Sequence, residues 1–158
     1  MVIEPPAEQL PSIAMDTADR ALALAGIEPR IALLSFSTAG CANHPLVDKV
    51  RDAGEIIAEK RPELQLMTEV QFDAAIIPEI LSRKAPEIGV PAPANVFIFP
   101  DLQSANIGYK IAQRIGGVQA TGPVLQGLQL PVNDLSRGCS EADIINLAAV
   151  TAVQSMSA

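Results

Sequence analysis

The sequence is poor in aromatic residues, histidine and cysteine. Aromatic residues make up 3% of the 158 positions, tryptophan is absent, and histidine occurs once. Two cysteines, Cys41 and Cys139, are too few for a disulfide framework, and with one histidine they do not predict a zinc site. The core must therefore be built from alanine, isoleucine, leucine and valine, which is typical of helices packed on a parallel sheet.

Long apolar runs and clusters of positive charge are also missing. No apolar stretch reaches membrane-spanning length, and residues 1–6 lack the basic and apolar regions of a signal peptide. The formal net charge is -7, and no run of lysine or arginine offers a footprint for nucleic acid. We therefore expect a cytoplasmic protein that has no membrane or nucleic-acid partner.

Patterns of helices and strands alternate along the chain. Apolar runs predict strands at 30–36 and 95–99, and 64–70 and 118–122 are the second and fourth candidate strands. Helical periodicity predicts helices at 7–25, 45–60, 72–81, 105–115 and 141–155. This alternation predicts one α/β domain over residues 1–158, with a mostly parallel sheet between layers of helices.

The last predicted helix has almost no polar face, because isoleucine, leucine, valine and alanine occupy most of residues 144–153. A helix that is apolar nearly all round must be buried. It therefore either passes through the core of this domain or packs against something outside this chain.

Small polar residues follow the first strand, at the edge where α/β sheets bind ligands. Ser37, Thr38 and Gly40 lie between a strand and a helix, which is the outline of an anion-binding loop. An ordinary strand-to-helix turn explains the same residues equally well. Tyr109 and Lys110 follow the third strand, where they either cover apolar surface or contact a ligand.

The run before the last helix could carry chemistry. Ser136 offers a hydroxyl, Arg137 a planar set of donors suited to phosphate, and Gly138 a close backbone approach. Asp143 lies further on and could act as a base. Ser140 and Asp143 also have the spacing of a capping box, which from pattern alone is the stronger explanation for Asp143. An arginine such as Arg137, taken alone, more often forms a surface salt bridge than takes part in catalysis.

Seven stretches together resemble the phosphate acetyltransferase (phosphotransacetylase) family, specifically its C-terminal half. One such motif would be weak evidence, whereas seven in the same order are highly specific. They are LSFSTAG at 34–40, QFDAA at 71–75, KAP at 84–86, NVFIFPDL at 95–102, NIGYK at 106–110, GPVLQGL at 122–128 and PVNDLSRG at 131–138.

The resemblance implies an isocitrate-dehydrogenase-like three-layer α/β/α fold, corresponding to the second of the family's two domains. It also implies that residues 134–158 return to a first domain that is not in this sequence. The implied activity is reversible acetyl transfer between acetyl phosphate and coenzyme A, without a metal. Coenzyme A is then a substrate, with phosphate and acetyl phosphate as the other partners. No covalently bound cofactor is implied, and the family's dimer contact implies a homodimer.

By the same resemblance, Ser136 and Arg137 match the Ser-Arg pair of the reacting centre, and Asp143 matches the proposed base. Asp143 would remove the thiol proton of coenzyme A, while Arg137 and Ser136 would stabilise the transition state. Substrate binding is assigned to Ser37, Thr38, Gly40, Tyr109 and Gly138.

Other functions remain open. Related domains fused to malic enzymes are thought to sense acetyl-CoA without catalysis, so a sensing or dimerisation domain is the alternative. Phosphate butyryltransferases share the architecture, which leaves the length of the acyl chain open.

Overall fold

A computed structural model describes residues 2–156. The helices and strands, in chain order, are α1 Leu10–Ala25, β1 Arg30–Leu34, α2 Pro45–Lys60, β2 Gln65–Val70, α3 Phe72–Ile76, α4 Pro78–Lys84, β3 Val96–Ile98, α5 Leu102–Arg114 and α6 Glu141–Met156.

The strands form a parallel sheet in the order β2-β1-β3. Ile31 of the central strand pairs with Leu66 on one side and with Val96 on the other. The predicted α/β fold with a parallel sheet is therefore confirmed. Because the chain moves from β1 to one side and then returns to the other, the strand order reverses between β1 and β3, and ligands of such sheets bind at this reversal.

Both faces of the central strand are buried. Ile31 and Leu33 point into a core beneath α1 and α2, whereas Ala32 and Leu34 point into a second core beneath α3 and α4. The alternation follows from the two-residue period of a strand. The sheet is thus a middle layer between helices.

The helix ends follow local sequence signals. Pro11 lies in the first turn of α1, and Gly26 ends that helix in a left-handed conformation with φ 63°. At the start of α5, the side chain of Asp101 accepts the N–H of Ser104 at 2.7 Å.

The fourth predicted strand is wrong. The Val118 N–H donates to the carbonyl of Ala112 at 3.3 Å, so the segment begins as the closing turn of α5. Residues 118–122 are mostly exposed and do not pair with β3. The backbone of this segment begins by bonding to the end of α5, so it does not pair with the edge of the sheet.

The single helix predicted at 72–81 is two helices. Ile77 is extended, with φ -111° and ψ 109°, between α3 and α4. Pro78 follows it, and the ring of a proline disfavours helical backbone at the residue before.

The alternative in which α6 is buried in the core of this domain is also wrong. Only Leu147 and Gln154 of this helix are buried, while Ile145 is 68% exposed and Met156 is 84% exposed. The contacts of α6 with α1 are sparse, and hydrogen bonds from the side chain of Asn133 help to hold the helix in place. Of the two alternatives for this helix, packing against something outside the chain is the one that the structure leaves open.

Candidate active site

The loop between β1 and α2 is held by hydrogen bonds within itself and to the next strand. The Ser37 hydroxyl donates to Glu69 Oε1 at 2.7 Å, and the Gly40 N–H donates to the same oxygen at 2.8 Å. Thr38 Oγ1 accepts the N–H of Gln71 at 2.9 Å. The side chains of Ser37 and Thr38 are buried, so their polar atoms stabilise the loop.

Glu69, near the end of β2, is a site residue that the sequence reasoning missed. It is 4% exposed and accepts Nε and Nη2 of Arg51 at 3.1 and 3.0 Å. Burial raises the pKa of Glu69, but the bonds from Ser37, Gly40 and Arg51 together outweigh it and hold the pKa below its ordinary value. The carboxylate is therefore ionised at neutral pH. The available signal was an acidic residue near the end of a segment predicted as a strand.

Ser136, Arg137 and Gly138 form an exposed turn that leads into α6. The carbonyl of Ser136 accepts the N–H of Cys139 at 3.0 Å, which closes the turn. Arg137 makes no hydrogen bond or ion pair with any residue between 2 and 156. Its guanidinium is therefore available to an anion that approaches from solvent, and its planar donors match phosphate geometry.

Asp143 lies in the first turn of α6 and forms the capping box that the pattern predicted. Its Oδ2 atom accepts the backbone N–H of Ser140 at 2.8 Å and the hydroxyl of the same residue at 2.9 Å. These two bonds, helped by the positive charge of Arg114, lower the pKa of Asp143. The carboxylate is ionised at neutral pH, as a base must be.

Asn133, which lies in the motif at 131–138, holds α6 to the chain through a polar network whose bonds were not predicted from the sequence. Asn133 donates to Thr151 Oγ1 at 2.8 Å and to Gln154 Oε1 at 2.6 Å, and its own oxygen accepts the Leu125 N–H at 2.8 Å. Gln154 is 4% exposed and donates to the carbonyl of Leu125 at 3.3 Å. The network fixes the segment that precedes the Ser-Arg-Gly turn against α6. The periodicity of helices and strands could not have identified a loop asparagine as a residue that holds α6.

Tyr109 is exposed on α5, a helix with no buried residue. Lys110 Nζ donates to the hydroxyl of Tyr109 at 3.0 Å and to Asn106 Oδ1 at 2.9 Å. The same ammonium group lies 4.8 Å from the centre of the tyrosine ring. A ligand contact for Tyr109 stays a prediction.

The structure gathers the predicted residues into two groups. Ser37, Thr38 and Gly40 lie at the carboxyl end of β1, where hydrogen bonds join the loop to the end of β2. The residues from Ser136 to Asp143 lie at the start of α6. No hydrogen bond or ion pair within residues 2–156 joins the two groups.

Elsewhere, a groove of about 830 Å³ lies between α1 and residues 124–128, and none of the predicted site residues lines it. Over the described range 2–156, no three histidine, cysteine or acidic side chains converge as metal ligands. None of the helices in that range combines the length and the hydropathy needed to cross a bilayer.

A parallel α/β sheet, with an unpaired arginine on a glycine turn before a helix, is typical of domains that bind phosphate-containing ligands. Comparison with known proteins narrows this class. The family described as "Phosphate acetyl/butaryl transferase" matches residues 1–152. The chain belongs to this family.

Relatives and solved structures agree with this assignment. The chain is 52% identical over 154 residues to a phosphate acetyltransferase of Bacillus subtilis, covering 98% of the chain and 47% of the relative. It is 54% identical over 150 residues to one of Thermoanaerobacterium thermosaccharolyticum, covering 95% and 46%. A phosphotransacetylase structure from Streptococcus pyogenes superposes with a TM-score of 0.94 at 54% identity, covering 100% of this chain and 48% of that one. The chain thus spans about half the length of the relatives it matches.

Proposed function

We propose that this chain is the part of a phosphate acetyltransferase that carries Ser136, Arg137 and Asp143. The whole protein would move an acetyl group reversibly between acetyl phosphate and coenzyme A. The observation that carries the proposal is the exposed guanidinium of Arg137, which has no partner within residues 2–156 and lies on a turn that ends in a glycine. Membership of the family and the identity to named phosphate acetyltransferases support it.

In the proposed reaction, Asp143 takes the thiol proton of coenzyme A. The resulting thiolate attacks the acetyl carbon of acetyl phosphate, a carbon–sulfur bond forms, and the carbon–oxygen bond to phosphate breaks. Phosphate leaves with the electron pair of that bond. Arg137 stabilises the charge that builds on the carbonyl oxygen and the phosphate, and Ser136 donates a hydrogen bond to the same transition state.

Substrate binding is proposed for two regions. Gly138 carries no side chain and nothing lies within 4 Å of where its Cβ would be, so a phosphate group can approach the backbone there. The loop that contains Ser37, Thr38 and Gly40 would form a wall of the crevice at the end of β1. Tyr109 would add an aromatic surface from α5.

The remaining parts of the proposal concern the whole protein. The exposed apolar side chains of α6, such as those of Ile145 and Met156, would pack against a first domain to which residues 134–158 return. Coenzyme A would be a substrate and not a bound cofactor, and the enzyme would act in the cytoplasm as a homodimer.

An assay of acetyl-CoA formation from acetyl phosphate and coenzyme A tests the proposal. Formation of acetyl-CoA that depends on the chain supports it. Calorimetric titration with coenzyme A then separates the alternatives. Binding without turnover would favour an acetyl-CoA-sensing module. No binding at millimolar coenzyme A would exclude both the transferase and the sensing module.

A dimerisation domain is the second candidate function, and one observation on α5 favours it. Ile107, Ile111 and Ile115 follow each other at four-residue spacing and are 53%, 53% and 83% exposed. Residues four apart share a helix face, so these side chains form one apolar stripe on the surface. A stripe of this kind is typical of an interface between subunits.

A further inference from the structure

Glu69 occupies an unusual place in the sheet. Leu33 of β1 lies opposite two residues of β2, Thr68 and Glu69, so β2 contains a bulge there. Glu69 has a φ of 55°, a left-handed conformation that residues other than glycine rarely adopt. Bulges re-aim side chains next to active sites, and such backbone persists only where the surroundings hold it.

The bulge aims the carboxylate of Glu69 into the loop that follows β1. Four donors converge on its two oxygens: the Ser37 hydroxyl, the Gly40 N–H and two nitrogens of Arg51, all between 2.7 and 3.1 Å. The carbonyl of Glu69 also accepts the N–H of Ala39 at 3.1 Å. Both the backbone and the side chain of one residue therefore determine the course of the loop.

Two further N–H groups of this loop are used within the loop itself. Ser37 N–H donates to Ser35 Oγ at 3.2 Å, and Thr38 N–H lies 3.3 Å from the sulfur of Cys41. The loop therefore has the anion-binding form that its sequence predicts, but the anion is the chain's own carboxylate. Ser37 and Gly40 have no donor left for the phosphate of a substrate at this position.

We propose that Glu69 is a positioning residue, an internal anion that fills the cradle formed by Ser37, Gly40 and Arg51 and so sets the wall of the substrate crevice. Ser37 and Gly40 act on the substrate through the shape of the loop. This inference rests on the proposed function for the identity of the ligand, coenzyme A.

The test is chemical rescue of a variant whose cradle is empty. Glu69→Gly removes the side chain and suits the left-handed backbone, leaving three donor groups around the space that the carboxylate and its methylene groups occupied. Added formate should occupy that space and raise the thermal midpoint of Glu69→Gly by at least about 3 °C, with no rise from chloride at equal ionic strength. The unsubstituted chain should show no formate-specific rise.

Two variants control the experiment. Glu63→Gly removes an exposed carboxylate that also bonds the Nε of an arginine, Arg61, but that pair is open to solvent, so formate should not stabilise this variant. Glu69→Gln fills the cradle with a neutral amide of the same size, so it should not respond to formate. It also keeps the claim testable if Glu69→Gly fails to fold in any buffer.

Calorimetry with coenzyme A tests the positioning itself. Both Glu69 variants should bind coenzyme A about tenfold more weakly than the unsubstituted chain, and formate should restore affinity only to Glu69→Gly. Unchanged affinity for coenzyme A in both variants would overturn the positioning claim. The absence of a formate-specific shift in folded Glu69→Gly would overturn the claim that these donors form an anion cradle. If the unsubstituted chain does not bind coenzyme A, the proposed function and the positioning claim fail together, while the formate shift still decides whether the cradle exists.

Discussion

Asp143 and Ser140 bond reciprocally at the start of α6: the carboxylate accepts two hydrogen bonds from Ser140, and the hydroxyl of Ser140 accepts the Asp143 N–H at 3.3 Å. Both bonds to the carboxylate reach Oδ2, so Oδ1 is not used by the cap. A helix N-terminus favours negative charge. One carboxylate can therefore cap the helix and remain an ionised base, and the two explanations offered by the sequence are compatible.

Acid should remove the stabilising effect of this cap. The pKa of Asp143 is lower in the folded chain than in the unfolded one, so its contribution is present above the unfolded value of about 3.9 and is lost as the pH falls through the folded value. Asp143→Asn should therefore lower the thermal midpoint at pH 7, and the difference from the unsubstituted chain should shrink below pH about 4. Glu141→Gln, which removes a charge from the same helical turn without removing a cap bond, should have the smaller effect. Equal effects would argue against the cap.

Gly54 should not tolerate a methyl group. A Cβ at this position of α2 would lie 2.9 Å from the Cβ of Thr68 on β2 and closer still to both branches of that side chain. Rotation of Thr68 cannot relieve the clash, because its Cβ does not move. Gly54→Ala should lower the free energy of unfolding by about 1–3 kcal/mol, although alanine is the better helix former. Gly89→Ala is the control, because nothing lies within 4 Å of where a Cβ would be at that position. Urea denaturation of the two variants measures the difference in their free energies of unfolding.

Asn133 should control the mobility of α6 and of the turn before it. Asn133→Ala leaves the Leu125 N–H and the Gln154 oxygen without their partner, which should cost about 1–3 kcal/mol. Trypsin should then cleave after Arg137 about tenfold faster, since the turn opens locally more often. Asn106→Ala, which removes only an exposed bond to Lys110, should leave the cleavage rate unchanged. Cleavage of Asn133→Ala at the normal rate would contradict the network's importance.

The isoleucine stripe on α5 should govern self-association. Ile111→Lys places a charge in the middle of the stripe, so it should shift a dimer towards monomer in sedimentation equilibrium. Ala112→Lys puts the same charge on a neighbouring, exposed face of the helix and should leave the molecular mass unchanged. Dimers that survive Ile111→Lys would exclude this stripe as the interface.

The sequence predicted most of the fold because its elements are marked locally. Helix α2 has the bounds that its apolar spacing and the prolines at 45 and 62 predicted. Strand β1 contains the apolar run at 31–34, and β2 lies within the segment predicted at 64–70. The misplaced strand at 118–122 contains two residues that favour strands, Val118 and Thr121, but pairing with β3 depends on where the end of α5 directs the backbone. Such a tertiary effect overrides local preference.

The site was predictable only in part for the same reason. The capping box of Asp143 is a local motif and was visible. Glu69 and Asn133 act through partners far away in sequence, such as Ser37 and Gln154, and only the folded chain brings these together. The resemblance named the Ser-Arg-Gly turn and included Asn133 in its motif, but it did not assign to any residue the role of holding that turn or the loop after β1 in place.

The most direct test of the account uses a chimera in which this chain replaces the matched stretch of the Bacillus subtilis phosphate acetyltransferase. The chimera should form acetyl-CoA from acetyl phosphate, and Arg137→Ala should reduce its kcat by about 100-fold or more, because the charge in the transition state loses its guanidinium. Arg83→Ala, at another exposed arginine without a partner in residues 2–156, should leave kcat unchanged. A folded chimera whose turnover survives Arg137→Ala intact would contradict the assignment of the active site.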